Sequence, residues 1–522
     1  MGRRSCRAQG DPAPPGCAGE RDLPVSAPPA VRGRPAGPRR AAGTADSRTG
    51  AGGRRVTGPL DLVVRGGTVV DADREQRLDV GIRGGTVVAL GEGLPAAATE
   101  IDATGTYVLP GGVDVHTHLD QVSAKGARTA DDFLSGSVSA AHGGTTTVMA
   151  FAAQARGERI ADVLARGLAA ASRSTVDVGL HLIVTDIDRP DAAGDLAEAA
   201  TAGVTSMKVF MTYEKLRLAD AALLRALAAA RDLGVRVMVH AEHHGMIGYR
   251  TGTLVADGVT APAGHLLAHS RNAEGAAVAE IAAIAEYLDM PIYIVHLSSP
   301  EGLRALRQAR DRGVAITAET CPHYLFLDET RLDAGLVEAV RSMCSPPLRG
   351  AADRATLWAA VQAGDIDLIA SDHAPYRMDA KLPRGSDTTF PECANGIAGV
   401  ELRLPLMVSE ALSGGRVSLP DVVRLCCAAP AQAMGLWPRK GHLGVGADAD
   451  LAVWDPSASW VVSADGLHDA MDHSAYEGTA MKGAVRTVVS AGEVIVDDGG
   501  HRLTQGRGQF LVRPALPAGV RP

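Results

Sequence analysis

Eight short, nearly unbroken apolar runs, each followed by a stretch with helical spacing, constrain this 522-residue chain more than any other feature. They occupy residues 107–115, 145–151, 176–184, 205–211, 235–240, 291–297, 314–320 and 366–371. Between them lie helical candidates such as 218–233 (LADAALLRALAAARDL), 272–288 and 351–362. A strand that is apolar along its whole length is buried on both faces, as in a parallel sheet covered by helices. Eight of them, alternating with helices over about 330 residues, predict an α/β chain with a (β/α)8 TIM barrel. A doubly wound open sheet shows similar alternation, usually with fewer strands and a glycine-rich first turn. No G-x-G-x-x-G follows the first run here.

The flanks have a different texture. Residues 61–91 are a string of short strands with Gly-Gly turns, and 441–454 and 484–498 resemble them. These two all-β pieces predict a small β-sandwich domain built from N- and C-terminal segments. The expected organisation is a tail at 1–58, an N-terminal sandwich segment at 59–107, the barrel at 108–439, and a C-terminal sandwich segment with its tail at 440–515. Residues 1–58 hold eleven Arg, eight Pro and eleven Gly, but only five residues among Val, Ile, Leu, Met and the aromatics. Such a stretch buries too little apolar area to offset the entropy of ordering it, which predicts a disordered, dispensable tail. Arg3-Arg4 is followed by no apolar segment, so it is not read as an export signal.

A net charge of −8 carries no nucleic-acid footprint. No apolar run approaches the roughly 18 residues needed to span a bilayer, which argues against a membrane protein. Seven Cys form no C-x-x-C pair, so neither a disulfide framework nor a thiolate zinc site is expected. They read as buried thiols of a cytoplasmic protein.

Side chains at the carboxyl ends of barrel strands point into the mouth. The first run ends in Asp114-Val115-His116-Thr117-His118, the fifth at His240, the sixth at His296, and the eighth in Ser371-Asp372-His373. Lys208 is one of only six Lys in the chain, yet it sits inside the apolar run TSMKVFM. A charged lysine there is costly unless neutralised or paired. Any one of these residues has an ordinary structural explanation; at a common barrel mouth they predict metal-assisted hydrolysis. Four imidazoles and a carboxylate exceed what one open catalytic ion uses, and suit two divalent ions about 3.5–4 Å apart. A buried, deprotonated Lys208 can capture carbon dioxide, giving a carbamate with two oxygen donors to bridge them. Asp372 would shuttle the proton of the attacking water to the leaving nitrogen. Tyr213 would donate to the developing oxyanion.

The ordered motifs GGVDVHTHLD, MKVFMTYEK, VMVHAE, IYIVHLSS, TCPHYLFLD, CSPPLR and ASDHAPY resemble the dihydropyrimidinase/hydantoinase family, cyclic amidases of the amidohydrolase superfamily. The resemblance covers roughly residues 59–515. It implies two Zn2+ per subunit: one on His116, His118 and Asp372, the other on His240 and His296, bridged by carboxylated Lys208 (N6-carboxylysine). It implies Tyr213 as the oxyanion tyrosine, with Ser345 and Asn395 holding the ring amide through backbone groups. The implied reaction opens dihydrouracil, dihydrothymine or 5-substituted hydantoins to N-carbamoyl amino acids. The implied assembly is a homotetramer, or else a homodimer.

The chain departs from the family pattern at Glu242-His243-His244, at His323 (usual in allantoinase-like relatives) and in the loop 376–390. Allantoinase is therefore the alternative reading. Dihydroorotase is disfavoured because Asp120 stands where that enzyme places a carboxylate-binding Arg. A non-catalytic scaffold is disfavoured because all six ligand positions are intact.

Overall fold

The computed structural model describes residues 58–123 and 125–516. The tail expected at 1–58 lies, except for Gly58, outside the described residues. Eight parallel strands form one sheet whose spatial order follows the chain. They are Gly112–Thr117, Thr145–Ala153, Asp177–Ile183, Ser206–Phe210, Arg236–His240, Ile292–Ile294, Ile316–Thr320 and Leu368–Ile369. The sheet closes on itself through backbone bonds between the segments that follow its outer members. Thr117 bridges His373, and His118 N donates to His373 O at 2.8 Å. The architecture is a (β/α)8 barrel.

Helices between the strands form as their sequences direct. Pro300–Asp311 begins with Pro at its first turn, capped by Ser299 Oγ on Gly302 N, and buries Leu303, Leu306 and Ala309 at helical spacing. Arg271–Leu288 is capped by Ser270 and stops at Asp289, which takes a left-handed φ of 48°. Alternate strand residues separate two cores. Val148 and Ala150 pack outward against helices, whereas Met149 and Phe151 join Ile183, Met238, Tyr293 and Leu368 inside the barrel.

A seven-stranded sheet and a four-stranded sheet make the second domain. Leu62, Val64, Val80 and Ile82 of the four-stranded sheet share one core with Val108, Leu451, Val453 and Val489 of the other, giving a sandwich built from both ends of the chain.

The structure moves two boundaries. Tyr107–Pro110, expected to open the first barrel strand, is instead a sandwich strand paired with Leu451–Val461. The apolar run hides the joint, which falls at Gly111; a Cβ there would lie 2.1 Å from Thr146 Oγ1. At the other end, residues 509–516 leave the sandwich and run under the barrel. Leu511 N donates to Val178 O, Arg513 N to Gly203 O and Leu516 N to Gly234 O, at the amino ends of successive strands. Leu511 is fully buried in the inner barrel core. No helix among the described residues is long and apolar enough to cross a membrane.

Candidate active site

The ladder of the first strand is irregular between Asp114 and Thr117. There the chain turns from Val113 and Val115, which fill the inner core, to His116, buried against Lys208 and Asp372, and His118, which lines the mouth. Tyr213, His296 and Asp372 take left-handed φ values of 67°, 40° and 46°. Non-glycine residues held in that region are strained, and such strain collects at functional sites.

All six predicted ligand residues converge. His116 Nε2 and His118 Nε2 each lie 3.1 Å from the same Asp372 oxygen. Lys208 Nζ is 2.8 Å from His116 Nε2. His240 Nδ1 faces His296 Nε2 at 2.9 Å. For three of the four histidines, the ring nitrogen turned away is held by a polar side chain. His116 Nδ1 meets Glu319 at 2.6 Å, His118 Nδ1 meets Gln121 at 2.6 Å, and His240 Nε2 meets Glu242 at 2.8 Å. His269 holds the other Glu242 oxygen at 2.9 Å. An imidazole clamped on one nitrogen with the other free to coordinate is the arrangement of metal-binding histidines.

The electrostatics agree with that reading. Burial pushes His118 down to about 4 and lowers His240 and His296, so these rings present neutral lone pairs. Burial would raise the Asp372 carboxyl, but the His116 and His118 imidazoles outweigh it and hold it well below the usual carboxylate range. His116 shifts upward: burial and Lys208 would lower it, but Glu319 and Asp372 favour a positive charge on it. Burial pushes Lys208 down to about 8, toward the neutral amine. Its ammonium position lies 4.6 Å from the Phe151 ring centroid and 5.1 Å from that of Phe210. Paired neutral imidazoles, an ionised carboxylate and a buried His296 Nδ1 without a partner together fit divalent ions.

A cavity of about 100 Å3 is lined by His118, Lys208, His240, His296 and Asp372 together with a polar wall. Tyr213, Ser345 and Asn395 form that wall; Asn395 Nδ2 donates to Ser345 Oγ at 3.0 Å, and the Tyr213 ring lies 5.3 Å from that of His240. Burial, reinforced by Glu242, pushes the Tyr213 phenol up, so it stays a protonated donor. Asn395 Oδ1 is buried without a partner, an acceptor left open beside the cavity.

Sequence reasoning did not single out Glu319, Gln121, His269 or the orienting role of Glu242. Glu319 carried a signal: it is a charge inside an apolar strand run, the criterion that marked Lys208. Two of the departures noted in the sequence lie outside the cavity. His243 accepts from Met246 N as the N-cap of helix His244–Ala256, and His244 pairs with Glu214 at 3.2 Å. The others do not: Tyr376 of the loop 376–390 lines the cavity, and the 1% exposed His323 has a ring nitrogen within 4.8 Å of the Asp372 carboxylate, with both ring nitrogens unpartnered among the described residues.

Comparison with known proteins agrees with the geometry. The profile of the amidohydrolase family matches residues 107–495. The D-hydantoinase of Ralstonia pickettii is 40% identical over 457 residues, 87% of this chain and 99% of that protein. The D-hydantoinase of Geobacillus stearothermophilus is 36% identical over 460 residues, 87% and 97% of the two chains. A crystal structure of the dihydropyrimidinase from Brevibacillus agri superposes with a TM-score of 0.84 at 34% identity, covering 87% of this chain and 99% of its own. With similarity of sequence and fold extending over nearly the whole length of these relatives, the chain belongs to the amidohydrolase family, in its hydantoinase and dihydropyrimidinase group.

Proposed function

We propose that this protein is a metal-dependent hydrolase that opens the cyclic amide of dihydropyrimidines or 5-substituted hydantoins to give N-carbamoyl amino acids. The observation that carries the reading is one cavity lined both by His118, Lys208, His240, His296 and Asp372, with His116 directly behind on Lys208 and Asp372, and by Tyr213, Ser345 and Asn395. His116, His118 and Asp372 would hold one ion and His240 and His296 the second, with Lys208 between them as its carbamate. Zinc is the ion proposed, two per subunit. When bound, such a pair lowers the pKa of water from 15.7 towards about 7 and polarises a carbonyl.

The protein's own groups account for the remaining steps. Asp372 is held ionised, so it accepts the proton released by the attacking water and returns it to the ring nitrogen as the amide C–N bond breaks. The Tyr213 hydroxyl, kept protonated by burial, donates to the oxygen that gains charge on the carbonyl. Ser345 and Asn395 hold the ring amide at the polar wall and fix which carbonyl faces the nucleophile. Glu319, Gln121 and Glu242 keep their imidazoles turned toward the ions.

A homotetramer, or a homodimer, located in the cytoplasm is proposed with this function. The five described cysteines are free and buried, which suits a reducing compartment. His243 does not line the cavity and supplies no observation for the allantoinase alternative; His323, within 4.8 Å of the Asp372 carboxylate, is the departure on which that alternative rests. Ring opening of dihydrouracil, a 5-substituted hydantoin and allantoin by the zinc- and bicarbonate-supplemented protein tests the proposal. Faster opening of the first or second is expected; preference for allantoin overturns it.

A further inference from the structure

Lys381 is fully buried, yet it has no carboxylate partner among the described residues. Its ammonium donates to three backbone carbonyls: Gly396 O at 2.7 Å, Met343 O at 3.2 Å and Ala394 O at 3.4 Å. An ammonium has three N–H donors, and here each finds one acceptor. A buried ammonium without such partners is strongly disfavoured, so this geometry is specified by all three carbonyls together. The three belong to the two segments that carry the polar wall, for Met343 lies two residues before Ser345 while Ala394 and Gly396 flank Asn395.

Those segments are joined at one further backbone point, where Gly396 N donates to Met343 O at 2.9 Å. Met343 O thus accepts from both Gly396 N–H and Lys381. The helix that ends at Lys381, Met378–Lys381, belongs to the loop that follows Asp372 along the chain. Lys381 itself does not line the cavity; it reaches the cavity wall only from behind, through these carbonyls. A merely space-filling residue here would be apolar, as its burial alone would select.

We infer that Lys381 is a positioning residue for ring recognition: its ammonium, clamped on Met343, Ala394 and Gly396, holds Ser345 and Asn395 in register on the wall that receives the cyclic amide. The inference rests on the proposed function, because it takes Ser345 and Asn395 as the groups that hold the ring. It predicts that loss of the clamp loosens substrate binding and leaves the chemistry at the ion side unchanged.

The test uses the full-length, metal-loaded protein and its Lys381→Met, Lys381→Gln and Lys381→Arg variants, with dihydrouracil and a 5-substituted hydantoin as probes. For Lys381→Met, KM should rise by about tenfold or more while kcat stays within about threefold and bound metal is unchanged, the signature of lost uniform binding. Lys381→Gln keeps two N–H donors and should give a smaller rise, which carries the test if Lys381→Met does not fold. Lys381→Arg should recover some of the KM. An unchanged KM with a lower unfolding midpoint overturns the inference, as does a fall in kcat at constant KM. Hydrogen exchange of the amides at 343–345 and 394–397 reads the clamp without turnover. Faster exchange there, confined to those amides, supports it; unchanged exchange overturns it. If the wild-type protein opens neither probe, the proposed function fails on its own, and the exchange result still decides whether Lys381 clamps the two segments.

Discussion

At the scale of single residues, the site is a set of side chains each held by another. Lys208→Ala should lower activity by a factor of about 10^3 or more and release metal, since several kcal/mol of charge stabilisation go with the ions. A short carboxylic acid added to that variant should restore some activity by standing in for the carbamate. Full activity with two ions bound would remove Lys208 from the centre. Glu242→Gln should weaken metal retention by about 10–100-fold, read by chelator titration, because His240 loses the group that fixes its ring; an unchanged titration would show that the ring needs no such support. The six metal-site candidates were legible in the sequence because barrel geometry assigns a direction to whatever ends a strand. Their supports were not. Glu319 lies 203 positions from His116, and Lys381 finds its carbonyls through the tertiary fold alone. Nothing local to Gln121 or His269 distinguishes them from ordinary polar residues.

At the scale of elements, a buried cation adds an ionic joint to the apolar core that Trp454, Val488 and Ile495 of the sandwich share with the barrel. Lys440, 2% exposed, reaches Asp177 at 2.5 Å, Asp450 at 2.6 Å and Asp448 at 2.8 Å. Asp177 opens the third barrel strand, and Asp450 immediately precedes the sandwich strand Leu451–Val461. The three aspartates are close enough to nest a metal ion, but the ammonium already occupies the place between them. Lys440→Met would leave the buried Asp177 and Asp450 without an ionic partner, while Asp448 keeps Arg439, at a cost of about 3–5 kcal/mol. A clear fall in the urea midpoint is expected, and an unchanged midpoint would show that the cluster contributes nothing net. The number and order of barrel strands were readable from apolar periodicity, whereas their ends were not. The runs at 291–297 and 366–371 shrink to Ile292–Ile294 and Leu368–Ile369. Just beyond them His296 and Asp372 step into left-handed φ, and the ladder stops where the chemistry begins. The misplaced start at Tyr107 has a similar origin, since two strands of different sheets meet at Gly111 without any polar residue to mark the joint.

At the scale of the whole molecule, both ends of the described chain are built into the architecture. The N-terminal strands complete the sandwich, and residues 509–516 lie against the amino ends of barrel strands three to five. The Arg513 guanidinium donates to Leu180 O at 2.6 Å and to Ser206 Oγ at 2.9 Å beneath the barrel. Ending the chain after Gly508 would strip Leu511 and Arg513 from that floor. Such a truncation should give little soluble folded protein, and normal yield with full metal content would show the floor to be optional. This placement has a consequence for synthesis. A ribosome delivers the barrel strands one after another, but the segment that seals their undersides emerges only after the whole C-terminal part of the sandwich. The barrel therefore cannot reach its finished state when its eighth strand appears. Emergence of residues 509–516, rather than of that strand, is the event that permits its completion.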